Sequence, residues 1–125
     1  IMPVFDYNEA LYGALCYIYG DDDNTISVDE KEGFKPRFLE RHYLSHETMK
    51  TISYRWSSLN VEEFYWEVVN SLNEHSLTDR MEGFKTICII INDFSANRDD
   101  RWTPANRLRE DLGFSREEYS TYIGN

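Results

Sequence analysis

Glycine, proline and cysteine are all scarce in this chain: six, three and two residues of 125. Six scattered glycines leave no glycine-rich phosphate loop and no nucleophile elbow. Cys16 and Cys88 lie far apart, each inside an apolar stretch, with no cysteine or histidine at ligand spacing. That is the usage of buried reduced thiols rather than of a disulfide or a zinc site. Apolar runs are short. Ile87 to Ile91 covers five residues, where about 20 are needed to span a bilayer. No leader-like segment is read either; Met2 reads as the natural start with Ile1 an added residue, and the expected compartment is the cytoplasm. Basic residues are also few, 13 against 23 acidic, for a net charge of −10. A field of that sign repels nucleic acid and anionic membrane and draws cations or a basic protein.

Catalytic groupings fail the same test. His42 and His46 are four apart and Glu47 follows, which is not the H-E-x-x-H order, and a helix start at Ser45 falls between them. His75 stands alone in a polar link. Carboxylate pairs carry no weight as acid–base signals in so acidic a chain. The expectation is a protein that is not an enzyme.

What is present is a core. Hydrophobic residues make up 41% and aromatics 15%, and nine of the aromatics are tyrosines, which suit half-buried positions and interfaces. The length and composition predict one acidic helical domain over residues 1–125. Charge is unevenly spread. The first 32 residues hold eight acids (Asp6, Glu9, Asp21, Asp22, Asp23, Asp29, Glu30, Glu32) and one base, Lys31.

Helical spacing and capping signals divide the chain. Tyr7, Leu11, Ala14, Leu15 and Ile18 form a helical stripe between an Asp6 cap and a Gly20 stop. After the acidic loop, Ser27 with Glu30 makes a capping box for a second helix, troubled by Gly33 and Pro36. Ser45 opens a third helix carrying Met49, Ile52 and Trp56. Asn60 with Glu63 opens a fourth, with Leu59 and Phe64 spaced as a hydrophobic staple and a stripe of Val61, Phe64, Tyr65, Val68, Val69 and Leu72. A fifth segment starts at Thr78 and runs to Phe94. Its Thr86–Ile91 stretch alone reads as a buried strand, while the offsets of Met81, Phe84, Ile87, Cys88 and Ile91, and the lack of a partner strand, favour a central buried helix. Thr103 as cap with Pro104 at the first helical position predicts a short helix to Asp111, with Gly113 beyond it. Ser115 and Glu118 cap the last helix, with Phe114 and Tyr119 placed to staple it. The fold expected is an all-α bundle of about seven helices.

Two units share one order within that bundle. The first runs apolar helix, Asp-rich loop (Asp21 to Asn24), Ser27-capped helix, then Leu44-Ser45-His46-Glu47. The second runs apolar helix, Asp-containing loop (Asn97 to Asp100), Thr103–Pro104-capped helix, then Phe114-Ser115-Arg116-Glu117. On these residues the chain resembles the TerB-like tellurite-resistance superfamily, whose units follow an apolar helix with an Asp-Gly-x-Ile-x-x-x-Glu turn and later a Leu-Ser-x-Glu helix start. Asp23-Asn24-Thr25-Ile26-Ser27-Val28-Asp29-Glu30 matches that turn with Asn in place of Gly, and Asn tolerates the left-handed conformation. The second unit keeps only Asp100 and the Thr103 cap. The resemblance implies a helical bundle of two loosely repeated helix–acidic loop–helix units, a stress-response role and metal sensing through the acidic loops.

Two functions from different classes fit. One is an immunity or inhibitor protein that occludes a basic toxin, most simply a nuclease, with carboxylates in place of phosphates. Its contacts would be Asp21, Asp22, Asp23, Asp29, Asp99 and Asp100, with Trp102 as an anchor. The other is a TerB-like module binding a divalent cation. Asp21, Asp23, Thr25, Ser27, Asp29 and Glu32 fall on positions 1, 3, 5, 7, 9 and 12 of a calcium loop. Ile26, however, stands where such a loop turns on glycine, and the Ser27 cap competes for its hydroxyl. No resident cofactor is expected on the first reading; on the second it is Ca²⁺ or another divalent cation at Asp21, Asp23, Asp29 and Glu32. The partner expected is a basic protein, not nucleic acid or membrane.

Overall fold

A computed structural model describes residues 3–20, 35–36, 38–39, 41, 43–94 and 98–124. Among them the chain forms six helices and no strand: α1 (Tyr7–Tyr19), α2 (His46–Ser58), α3 (Val61–Leu72), α4 (Leu77–Phe94), α5 (Arg98–Asp111) and α6 (Arg116–Gly124). The helix expected to open at Ser27 lies outside the described residues up to position 34; Lys35, Pro36, Phe38 and Leu39 are helical.

Four helix caps, Asp6, Ser45, Asn60 and Ser115, are where the spacing placed them. Asp6 accepts the Glu9 amide while Glu9 accepts the Asp6 amide, closing a full capping box on α1. Ser45 accepts the Thr48 amide and Asn60 the Glu63 amide, each satisfying a first-turn donor that the helix leaves orphaned. Ser115 and Glu118 exchange both bonds, at 3.0 and 3.1 Å, and the Phe114 and Tyr119 rings meet at 6.0 Å as the staple requires.

The helix at the centre is α1, not the isoleucine-rich segment. Nine of its 13 residues are buried, and it packs against α2, α3, α4 and α5. The five-residue stripe read from the sequence understates this, because Tyr12, Tyr19, Cys16, Ala10 and Gly13 face neighbours on the other sides. Residues 86–91 do lie in a helix, with Ile87, Ile90 and Ile91 in the core and Ile89 turned outward. Ser76, two residues before the predicted start, caps it through the Asp79 amide at 3.1 Å. Phe5 is pinned ahead of α1 by its amide, which donates to Ser71 Oγ at 3.1 Å. No helix among the described residues is long and apolar enough to cross a membrane.

One helix start is wrong in the sequence reading. α5 begins at Arg98 and carries Pro104 inside it, so Thr103 is not its cap. Proline at the seventh helical position removes one intrahelical donor and crowds the turn before it. The first turn of α5 reaches α1: Arg101 Nη1 donates to Ile18 O at 3.3 Å. The consequence for the second proposed unit is direct. Asp99 and Asp100 sit on a helix rather than in a loop, so the cap-to-cap correspondence between the two units falls away.

Candidate functional site

The sequence-derived site divides into three parts. Asp21, Asp22, Asp23, Asp29 and Glu32 lie outside the described residues. Asp99 and Asp100 occupy the second and third positions of α5. Trp102 is half-buried against the core and lines a groove between α4, α5 and α6.

Local chemistry brings the first turn of α5, which carries Asp99 and Asp100, to the C-terminal end of α1. Gly20 ends α1, its amide bonded to Cys16 O at 2.8 Å, and the chain passes from it directly into Asp21. Glycine is required there. A Cβ on residue 20 would sit 2.0 Å from the Trp56 indole and 2.8 Å from Cys16 O. The last carbonyls of α1 have no intrahelical donor, and α1 has no basic residue in its last turn. Arg101, from α5, supplies one, bonding Ile18 O and lying 5.0 Å over the Tyr19 ring. The point where the chain enters Asp21–Asp23 and the turn that carries Asp99 and Asp100 are thus tied by one residue. Among the described residues no three His, Cys, Asp or Glu side chains converge as a metal-ligand set.

Two constellations were not legible in the sequence. The first is a guanidinium clasp. Arg107 donates to both Glu62 carboxylate oxygens at 2.8 Å and to Tyr17 Oη at 3.1 Å, and stacks 3.9 Å from the Tyr65 ring centre. The Tyr65 hydroxyl in turn donates to Asp111. The Arg107 hydrogen bond holds the Glu62 carboxyl below its ordinary pKa, while burial and the Asp111 bond push the Tyr65 phenol up. This joins α1, α3 and α5 with groups 45 and 90 residues apart, a distance no local pattern reports.

The second is the groove, of about 460 Å³. Phe84, Cys88 and Ile89 come from α4, Trp102 from α5, and Tyr119 and Ile123 from α6. The Cys88 thiol is pushed up to about 11 by burial, so it is protonated and a poor nucleophile at neutral pH. Neither cysteine is in a disulfide. The only sequence signal for the groove is Ile89, apolar on the outward side of an otherwise regular stripe.

The fold is that of an all-α domain, with α1 enclosed by its neighbours. Compared with known proteins, no family model, no curated protein and no solved structure matches the chain.

Proposed function

We propose that this is a non-catalytic, protein-binding domain whose acidic end, at the junction of α1 and α5, docks a basic partner, in the manner of an immunity protein occluding a nuclease-type toxin. The observation that supports this most is the Arg101 tether, which brings the Asp99–Asp100 turn of α5 to the place where the chain enters Asp21–Asp23. Charge adds to it. The first 32 residues carry eight acids and one base, and the remaining 93 carry 15 and 12, so most of the net −10 belongs to the N-terminal quarter. On this proposal the acidic stretches steer a cationic surface toward them and fix its register on contact.

Affinity capture from an extract of the source cells at low ionic strength, with calcium and again with chelator, tests the proposal. The expected result is a basic protein held near one-to-one in both conditions and released in about 1 M salt, where the Debye length falls to about 3 Å. Capture that needs calcium, or no capture beside a calcium-raised melting temperature, would assign the acidic residues to a cation instead.

A further inference from the structure

The groove between α4, α5 and α6 runs against the character of the molecule. In a chain of net charge −10 it is bordered by Lys85, Arg109 and Arg116, and no carboxylate is among the described residues that line it. Its apolar walls include Ile89 and Ile123, 39% and 48% exposed, which gain nothing from facing water.

Arg109 is the second, independent sign. Its side chain is only 9% exposed, yet its guanidinium is incompletely bonded. Nη1 donates to Phe114 O at 2.6 Å, and Nη2 reaches only the exposed Glu110 carboxylate, at 3.5 Å. Nε is buried without any hydrogen-bond partner. A buried guanidinium normally has its donors satisfied, because an unpaired charged donor costs more to bury than a paired one. Here a cation with spare donors lies in the wall of an apolar groove.

We propose that the groove binds an amphipathic monocarboxylate, an acyl chain lying over Ile89, Cys88 and Ile123 with its carboxylate on the groove-facing edge of Arg109. A carboxylate is planar and offers two acceptors, which suits one guanidinium with few donors left. A phosphate dianion is repelled more strongly by the acidic field. The volume lies in the range that small ligands fill, roughly 300–1,000 Å³. All three walls are helices with their backbone bonds internally made, so the groove offers no edge to an extended peptide. On binding, the carboxylate takes the place of Glu110, whose contact is long and open to solvent.

The test uses the full chain with dodecanoate, dodecanol and 11-bromoundecanoate, read by calorimetry and by bromine quenching of tryptophan. Dodecanoate is expected to bind one-to-one and at least tenfold more tightly than dodecanol. Bromoundecanoate should quench a component of the emission that Trp102→Phe removes, because Trp102 is in the groove wall, Trp56 is in the core and Trp66, on α3, is not among the groove's lining residues. Ile89→Asp, at an exposed position, should weaken dodecanoate at least tenfold without loss of the folded state. Arg109→Gln should abolish the preference for dodecanoate over dodecanol; if that variant fails to fold, the wild-type preference decides the head-group assignment alone. Non-saturating uptake, equal affinity for acid and alcohol, or quenching unchanged in Trp102→Phe would each overturn the proposal.

Discussion

Arg107 stacks on Tyr65 while donating to both oxygens of Glu62, and Gly20 gives up its side chain to the Trp56 indole. Both are single-residue choices that fix how α1 is enclosed. Neither is readable from the neighbours in sequence, because their partners are 36 to 90 residues away. The Arg107–Glu62 pair is largely exposed on its Glu62 side, so its worth lies in the stacking and the fixed geometry more than in charge. Gly20 makes the sharper claim. Gly20→Ala has an allowed backbone conformation, with φ −71 and ψ 152, so any cost comes from overlap, with the Trp56 ring first and with Cys16 O beside it. The expected loss is roughly 1–3 kcal/mol, the range for overpacking a filled core, measured by urea unfolding. Unchanged stability would mean that the Trp56 ring is not held against the end of α1.

Helix ends were the most legible features of this chain, and Thr103–Pro104 shows the limit. Asp6, Ser45, Asn60 and Ser115 were found because a short oxygen-bearing side chain three residues before an amide leaves a local trace. Thr-Pro leaves the same trace inside α5, where tertiary contacts of Ala105, Leu108 and Leu112 with the core carry the helix through it. Leu77 preceded the predicted start for a related reason: Ser76 lay in what read as a polar link. The stripes of α2 and α3 were read almost residue for residue, because one face of each is buried. α1 and the groove were not, since a helix enclosed on most sides has no single stripe and a groove is a relation between elements. Pro104→Ala restores the missing donor and relieves the crowding in the preceding turn. It is expected to stabilise the fold by roughly 1–3 kcal/mol, below the full interior proline penalty. Hydrogen exchange of the 101–103 amides should slow in the variant. A destabilised variant with faster exchange would place the start of α5 at Thr103 after all.

At the scale of the whole molecule, burial changes how the core side chains titrate. Burial pushes the Cys88 thiol up to about 11 and the Tyr7 and Tyr12 phenols up to about 12, and it raises Tyr65 and Tyr119 as well. Each group holds its proton more tightly folded than unfolded. The stability it contributes is complete below its ordinary pKa, 9.0 for the thiol and 10.0 for a phenol, and is lost as pH climbs through the folded value. Melting temperature should therefore fall steadily from pH 9 to pH 12, with Cys88→Ser removing part of the loss between pH 9 and 11. A flat profile to pH 11 would show that these side chains are not buried as described.

The acidic end is the central claim, and charge position must be told apart from charge amount. Two variants of equal net charge do this: Asp21→Asn, Asp22→Asn, Asp23→Asn together, against Glu47→Gln, Glu74→Gln, Glu117→Gln at three exposed positions elsewhere in the chain. Each removes three charges from −10. With chelator present and at low salt, capture of the basic partner should drop at least tenfold for the aspartate variant and stay near wild type for the glutamate one. Equal loss in both would make the attraction a property of net charge alone, and retention in both would remove the acidic end from the account.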